Sequence, residues 1–230
     1  MTQTHLNPLR HLSVFSPDEF GKKRIDVIGA GATGSRIVLS LAKLGIENIH
    51  VWDFDVVESH NVANQVYRLT DIGKKKVGAL AEIVKESTGI TITVHSERVD
   101  GTQKLGPIVF LLTDTMSSRK EIWEKALRLH LDCELMIETR MGADSGRIYT
   151  VIPSQMSHVK AWESTLYADN DAEVSACGAV TSVGPTAEII SGMAVWQFMR
   201  WFSIEQGKAD ELEHEILLSL RSTLSVTRKF

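Results

Sequence analysis

Residues 25–34 read IDVIGAGATG, and the prediction of the fold starts from them. A short apolar strand runs directly into three glycines, and residues 35–44 follow with apolar side chains at helical spacing. Gly45 ends that predicted helix, and a second strand over residues 49–52 ends at Asp53. A strand, a glycine loop, a helix, a strand and an acid in this order predict a nucleotide-binding unit.

Each glycine of the loop has a distinct predicted task. Gly29 allows a tight turn, Gly31 lets a phosphate approach the backbone closely, and Gly34 lets the helix pack against the sheet. The phosphate is expected at the helix N-terminus, because free N–H groups and the helix dipole favour negative charge there. Asp53 stands where a carboxylate can accept hydrogen bonds from ribose hydroxyls.

The composition excludes several classes of protein. The chain has 230 residues, of which 43% are apolar and 23% charged, as in an ordinary globular protein. A net charge of −4 gives no reason to expect a nucleic-acid or anionic-membrane surface. No apolar run approaches the roughly 20 residues of a membrane span, and the N-terminus lacks a signal-peptide layout, so we expect a cytoplasmic protein. Two cysteines, Cys133 and Cys177, make neither a disulfide framework nor a four-cysteine zinc site.

Beyond the glycine loop, strand and helix patterns continue to alternate. Predicted strands lie at 90–94, 108–112, 135–137 and 147–152, with predicted helices at about 71–87 and up to about 131. The unbroken apolar run at 108–112 suits a central parallel strand that is buried on both faces. This order predicts an α/β fold with a doubly wound, mostly parallel Rossmann-like sheet and helices on both faces.

Three segments make up the predicted organisation. Residues 1–23 form an N-terminal arm, 24–152 a nucleotide-binding domain, and 153–230 a C-terminal part of the same globular unit. Within the C-terminal part we expect a crossing loop without regular structure at 154–182, then a buried interface helix that begins near Pro185. A last amphipathic helix is expected at 211–220.

Three consecutive lysines, Lys74 to Lys76, stand at the start of a predicted helix. Cations there oppose the helix dipole. Unfavourable local choices are often tolerated at functional sites, so we expect at least one of these lysines to face phosphate. The alternative is a solvated basic cluster.

Taken in order, the motifs resemble those of the ThiF/MoeB/ubiquitin-activating-enzyme family of adenylyltransferases. The series comprises the Gly29–Gly34 loop, Asp53 with Asp55, Asn61 with Gln65, Gly73 with Lys76, Asp114 with Arg119, and Cys177-Gly178 with Val183-Gly184-Pro185. The resemblance covers roughly residues 10–205. The sequence lacks the paired Cys-x-x-Cys zinc motifs that many members of the family contain, which indicates a short form of the family.

The resemblance implies an activity. Family members bind MgATP and adenylate the C-terminal glycine of a ubiquitin-like or sulfur-carrier protein, releasing pyrophosphate, and many act as homodimers. It also implies site residues: Gly29, Gly31, Ala32 and Gly34 along the nucleotide, Asp53 at the ribose, and Asp55, Asn61, Asn64, Gln65 and Lys76 near the phosphates. Asp114 binds Mg²⁺ or orients the attacked phosphate, and Lys76 and Asp114 are the implied catalytic residues. Arg10 is a possible match to an arginine that the partner subunit inserts in such dimers.

One departure concerns charge. Asn64 stands where the family usually has an arginine, and asparagine cannot replace a planar cation. Arg68 is four residues on and could reach back if this segment is helical, since residues four apart share a face. On that hypothesis Arg68 is catalytic, and Arg68→Ala abolishes adenylation.

The remaining alternatives concern Cys177 and the reaction. By resemblance, Cys177 takes the acyl group as a thioester or persulfide, or is dispensable; Cys133 is expected to be a small buried side chain. Alternatives to carrier adenylation are adenylation of a small molecule or tRNA base, a non-catalytic family scaffold, and an NAD-dependent dehydrogenase. The lysine triplet and Asp114 argue against the dehydrogenase, because hydride transfer does not require them.

Overall fold

Eight strands form a single sheet in the computed structural model, which describes residues 6–169, 182–209, 211–221 and 225–229. The strands are β1 (Ile25–Ile28), β2 (Ile49–Trp52), β3 (Thr93–His95), β4 (Ile108–Leu111), β5 (Leu135–Met141), β6 (Ser145–Val151), β7 (Glu215–Ser219) and β8 (Ser225–Lys229). Their order in the sheet is β3-β2-β1-β4-β5-β6-β7-β8. The first five are parallel, and β6, β7 and β8 are antiparallel to their neighbours. The predicted α/β class and doubly wound sheet are confirmed.

Helices cover both faces of this sheet. They are α1 (Pro17–Phe20), α2 (Ala32–Lys43), α3 (Ser59–Val62), α4 (Lys76–Thr88), α5 (Met116–Ile122), α6 (Met156–Glu163) and α7 (Gly184–Glu205), with a 3₁₀ turn at Leu69–Asp71 and a π-helical turn at Trp123–Leu127. Helix α2 packs against α7 and α4. Among the described residues, none of the helices is long and apolar enough to cross a membrane.

Alternate residues of the central strands enter two separate apolar clusters. In β4, Ile108 and Phe110 pack in the cluster that contains α2, α4 and α7, whereas Val109 and Leu111 pack in the one that contains the π-helical turn and α6. All four side chains are fully buried. Burial on both faces explains why this strand is apolar throughout.

The sheet order reverses between β1 and β4. From β1 the chain winds outward through β2 to β3, and from β4 it winds the other way to β5. Ligands of doubly wound sheets bind in the crevice outside the carboxyl ends of the strands at such a reversal. The glycine loop follows β1 and Asp114 follows β4, so both lie at this edge.

The predicted helix at 211–220 is wrong, because residues 215–219 form strand β7. Its leucines and glutamates favour helix by propensity, but pairing with β6 and β8 decides the structure. Glu215 is 3% exposed, and Arg147 and Lys229 of the two flanking strands pair with its carboxylate. Cross-strand partners of this kind cannot be read from one segment alone.

Other boundaries also differ from the prediction: helix α4 begins at Lys76 and not at about 71, and strand β5 extends to Met141. The segment predicted as loop from 154 begins with helix α6, whose Val159 and Trp162 are buried. The strand predicted at 90–94 pairs only over Thr93–His95, while Ile90 and Ile92 pack in the core ahead of it. The helix predicted to about 131 ends at Ile122 and continues as the π-helical turn.

Candidate active site

The three loop glycines occupy distinct positions. Gly29 has φ +102°, and a Cβ there would lie 2.6 Å from the carbonyl oxygen of Leu112. A Cβ on Gly34 would collide with the carbonyl oxygen of Gly29. Around Gly31, by contrast, a Cβ would meet no atom within 4 Å. Gly29 and Gly34 are therefore required for the turn and its packing, and Gly31 borders open space at the start of α2.

Asp53 holds the glycine loop in place. Its Oδ2 accepts a hydrogen bond from the Ala30 N–H at 2.7 Å, and its Oδ1 accepts one from the Asp55 N–H at 2.9 Å. From the other side, the buried hydroxyl of Tyr67 donates to the Ala30 carbonyl at 2.7 Å. Burial, and then the charges of Asp53 and Asp55, raise the pKa of Tyr67, so this hydroxyl stays protonated as a donor. Sequence reasoning did not identify Tyr67.

A cavity of about 290 Å³ opens beside this loop. The candidate residues among those that line it are Gly29, Asp53, Asp55 and Asp114, with Trp52 and Val99 as apolar walls and Thr113 beside Asp114. The Thr113 hydroxyl is buried and lacks a hydrogen-bond partner among the described residues. Apolar walls with a few convergent polar groups are typical of a small-molecule site.

Asp114 titrates abnormally. Desolvation raises its pKa above the ordinary 3.8, and the charges of Asp53 and Asp55 raise it further, while Lys76 and Arg119 act in the opposite direction. A negative charge on one carboxylate disfavours the ionisation of a neighbouring carboxyl group, and a bound cation reduces this repulsion. A perturbed acid in a cleft also indicates a functional site.

Lys76 begins α4 and is 8% exposed. Its ammonium nitrogen lies 2.8 Å from Oδ2 of Asp55, a residue that lines the cavity. The other two lysines of the triplet have different partners: Lys74 pairs with Asp71 and Glu82, and Lys75 donates to the backbone carbonyl of Phe54, which also lines the cavity. Of the three, Lys76 is the one that pairs with a carboxylate of the cavity lining.

The polar segment after β2 contributes a mixed set of groups. The Oδ1 of Asn61 accepts the Glu58 N–H at 2.9 Å and caps α3. Asn64 donates from Nδ2 to the Ser182 carbonyl at 3.3 Å, and its own carbonyl accepts a bond from Arg36. Asn64 Oδ1 and Gln65 Oε1 are buried without a partner in the described chain. Buried unpaired acceptors are costly, which is consistent with a site that a ligand or water completes.

The structure does not bear out the premise for Arg68. Arg68 has extended backbone (φ −96°, ψ 160°) ahead of the 3₁₀ turn, so the segment from Asn64 is not a continuous helix. Its guanidinium instead binds the buried carboxylate of Asp71 at 3.0 Å and pairs with Glu86. Arg68 therefore pairs with acidic side chains, among them Glu86 of α4, and the expected approach of its side chain to Asn64 along a helix does not occur.

Arg36 is a second residue that the sequence analysis missed. It lies on α2, and its Nη1 donates to the carbonyls of Ala32 and Asn64. A signal was available, since Arg36 is four residues after Ala32 and helical side chains at i and i+4 lie on one face. A chain of contacts also ties the first turn of α2 to β5 and α5, through Thr33, Thr139 and Arg119.

The two cysteines and Arg10 complete the predicted set. Cys177 lies outside the described residues. Burial raises the pKa of Cys133 to about 12, which makes its thiol unreactive at neutral pH, as expected for a core position. Arg10 is exposed in the N-terminal turn.

The doubly wound fold, the glycine loop and the aspartates after the strands are consistent with the family assignment that comparison with known families gives. The model of the ThiF family matches residues 6–223, and the chain therefore belongs to the ThiF family.

Curated relatives match a part of the chain. The NEDD8-activating enzyme E1 catalytic subunit of Arabidopsis thaliana is 38% identical over 79 residues, which are 34% of this chain and 17% of that protein. The probable adenylyltransferase/sulfurtransferase MoeZ of Mycobacterium tuberculosis is 35% identical over 97 residues, 39% of this chain and 25% of that protein. The matched stretches thus span a quarter or less of these relatives.

Solved structures extend the likeness of fold over nearly the whole chain. Escherichia coli MccB, crystallised with AMPCPP and MccA, has a TM-score of 0.69 at 14% identity, covering 96% of this chain and 69% of that one. PaaA has a TM-score of 0.68 at 19% identity, covering 93% and 65%. At these identities the likeness concerns the fold.

Proposed function

We propose that this chain adenylates the C-terminal carboxylate of a ubiquitin-like or sulfur-carrier protein at the expense of ATP and releases pyrophosphate. The observation that carries the proposal is the meeting of Gly29, Asp53, Asp55 and Asp114 in one cavity at the reversal of the sheet, with Lys76 paired to Asp55. Relatives named as activating enzymes and adenylyltransferases point to the same chemistry.

The glycine loop and Asp53 bind the nucleotide in this proposal. Free N–H groups at the start of α2 attract its phosphates, and Gly31 leaves them room to approach. Asp53 is already fixed by two backbone donors, yet a carboxylate has about four lone-pair sites, so it can still accept ribose hydroxyls. Thr113, Asn64 and Gln65 offer buried polar atoms that have no hydrogen-bond partner among the described residues.

The reaction joins two anions. A carboxylate oxygen of the carrier attacks the α-phosphorus, an O–P bond forms, the bond from the α-phosphorus to the bridging oxygen breaks, and pyrophosphate leaves with that electron pair. The nucleophile is already ionised near neutral pH, so no general base is needed. Lys76 supplies positive charge, and the fixed loop keeps the phosphates in line for attack.

Magnesium fits the same cavity. Asp114, with Asp53 and Asp55 near it, supplies oxygen ligands whose mutual repulsion a cation relieves. In the described ranges no three His, Cys, Asp or Glu side chains are grouped to hold a metal by themselves. Mg²⁺ usually combines one or two carboxylates with substrate phosphates, and when bound it neutralises charge on the phosphates.

Two further roles belong to the proposal. Cys177 accepts the activated acyl group as a thioester: its sulfur bonds to the carbonyl carbon of the acyl adenylate, and AMP leaves. The chain forms a homodimer through the outer face of α7, where Trp196 is 56% and Ile189 36% exposed on one helix face. Large apolar side chains exposed together are typical of an interface.

ATP–pyrophosphate exchange tests this function. Purified protein is assayed with candidate carriers that end in Gly-Gly, and with the same carriers lacking both terminal glycines as matched controls. We expect exchange that depends on the intact carrier and on Mg²⁺ and is lost in Lys76→Ala and Asp114→Ala. Exchange that is equal with the truncated carriers would refute adenylation of the terminal glycine.

A further inference from the structure

Arg36 lies where the start of α2, the polar segment after β2 and the start of α7 meet. Its Nη1 donates to the Ala32 carbonyl at 2.9 Å and to the Asn64 carbonyl at 2.6 Å. Gly184 of α7 is so close that an added Cβ would lie 3.6 Å from Nη2. With 14% of the side chain exposed, the guanidinium is held by backbone atoms in one position.

The positive charge of Arg36 has only a weak carboxylate partner among the described residues. In the part of the chain that the structure describes, Glu188 has the one carboxylate within 4 Å of Arg36; it is 3.5 Å away, and its side chain is 68% exposed. An exposed partner at that distance contributes little stabilisation. Arg119 and Arg140, which are 8% and 11% exposed, instead share the fully buried carboxylate of Glu138.

The guanidinium of Arg36 is largely buried and lacks a close, buried carboxylate partner among the described residues, which indicates that an anionic ligand binds there. Burying a charge is costly unless it is paired, and proteins seldom leave such a group uncompensated. The bonds to Ala32 and Asn64 orient the guanidinium, but neutral carbonyls do not cancel its charge. The Nε and Nη2 atoms carry further N–H groups that those two bonds leave unused.

The position of Arg36 selects the kind of anion. Its side chain turns back along α2 to Ala32, the first residue of the helix, and so approaches the end where N–H groups attract negative charge. The loop beside it at Gly31 is open. Guanidinium groups pair with phosphate oxygens through two parallel N–H bonds, which makes a phosphate group a suitable partner.

We propose that Arg36 binds the phosphate chain of the nucleotide and supplies from α2 the positive charge that Asn64 cannot provide. The inference rests on the proposed function, because it assumes that the glycine loop holds a nucleoside triphosphate. Asn64 takes part through its carbonyl oxygen, which fixes the guanidinium. Arg36 and Lys76 are then two cations at the phosphates, carried by different helices.

The test compares ligands with and without phosphates. MgATP affinity is measured by titration, and adenosine affinity by competition against a fluorescent ATP analogue, for wild type, Arg36→Ala and Arg36→Gln. Arg221→Ala is the matched control, since it removes the same charge from a side chain that is 80% exposed. We expect both Arg36 variants to lose MgATP affinity at least about tenfold, the order of one charge-assisted contact, with adenosine affinity unchanged.

A second variant separates charge from architecture. Asn64→Arg in the Arg36→Ala background returns a guanidinium to the same junction from the other element. If Arg36 acts by its charge, the double variant regains most of the lost MgATP affinity. Arg36→Gln retains a donor for the two carbonyls, so the comparison remains available if Arg36→Ala folds poorly.

Three results would overturn the inference. Equal losses of MgATP and adenosine affinity would make Arg36 a structural link between α2 and Asn64. Unchanged MgATP affinity in Arg36→Ala would leave the residue without a role in binding. A wild-type protein that binds neither ligand would refute the proposed function itself, and that outcome differs from the other two because the variants need not be compared.

Discussion

The ammonium nitrogen of Lys76 and Oδ2 of Asp55 are 2.8 Å apart, and they join the start of α4 to the segment that follows β2. A second link reinforces this junction, because the Lys76 N–H donates to the Asp55 carbonyl at 3.0 Å. Lys76 is thus fixed near the cavity before any ligand arrives. A phosphate group that enters competes with Asp55 for the same cation.

Replacing Lys76 tests that arrangement. Lys76→Ala should lower carrier-dependent exchange by at least about 100-fold, the order expected when a fixed cation at a developing charge is removed. The measurement is exchange rate against ATP concentration. Lys75→Ala is the matched control, because Lys75 donates to a backbone carbonyl and is expected to retain exchange. Similar losses in both variants would contradict a specific role for Lys76.

The loop glycines give a prediction with opposite outcomes. Gly34→Ala places a Cβ against the Gly29 carbonyl, so we expect a fall in unfolding temperature. In Gly31→Ala the Cβ meets open space in the protein, so we expect a normal unfolding temperature with weakened MgATP binding. Thermal unfolding and ATP titration of both variants check this. Full ATP affinity in Gly31→Ala would show that the phosphates do not pass over Gly31.

The raised pKa of Asp114 predicts how magnesium-dependent ATP binding changes with pH. Desolvation, and then Asp53 and Asp55, raise its pKa above 3.8, so the carboxylate takes up a proton at a higher pH than an ordinary aspartate. Magnesium-dependent ATP binding should therefore fall as the pH drops through this raised pKa. Titrations of MgATP over a pH series check this, and Asp114→Asn should remove that step along with the magnesium dependence.

The same shift affects stability with the opposite sign. A raised carboxyl pKa means that the native state binds more protons than the unfolded state, so ionising Asp114 lowers the free energy of unfolding as the pH rises through that pKa. Asp114→Asn removes this cost; because the residue is exposed and solvent screens its charge, we expect only a slight rise in unfolding temperature at neutral pH, while magnesium-dependent ATP binding is lost. A lower unfolding temperature in Asp114→Asn would contradict this account of the charge.

Arg68 is expected to matter for stability. Arg68→Ala takes a guanidinium from the buried carboxylate of Asp71, which keeps only Lys74 as an ion-pair partner among the described residues. Hydrogen bonds from Arg68 and Lys74 outweigh burial and lower the pKa of Asp71, so the ionised carboxylate depends on them. We expect an unfolding temperature lower by roughly 2–4 °C. Loss of exchange at unchanged stability would instead support the sequence-based hypothesis.

The sequence predicted the glycine-loop half of the fold well because its signals are local. The turn at Gly29, the helix after it and the apolar run of β4 each follow from neighbouring residues. The C-terminal half was predicted less well, since β7 forms through pairing with β6 and β8. Glu215 is buried there by partners from both sides, and no pattern within its own segment indicates this.

The residues of the candidate site also fall into those that the sequence predicted and those that it did not. Asp53, Asp55 and Asp114 could be identified because they follow strands whose carboxyl ends meet at one edge. Tyr67 was missed because its role depends on a contact with Ala30, which lies far away in sequence. For Arg36 the spacing from Ala32 was a local signal, but its contact with Asn64 is equally distant in sequence and could not be read from the pattern. The reach of Arg68 failed for a related reason, since three acidic side chains around it decide where its guanidinium lies.

Titration of the wild-type protein with MgATP and with NAD is the most direct test of the central claim, that the cavity beside the glycine loop is a MgATP site. We predict saturable binding of MgATP that weakens when magnesium is removed and is lost in Lys76→Ala, with no comparable binding of NAD. Saturable binding of NAD without binding of MgATP would contradict the claim.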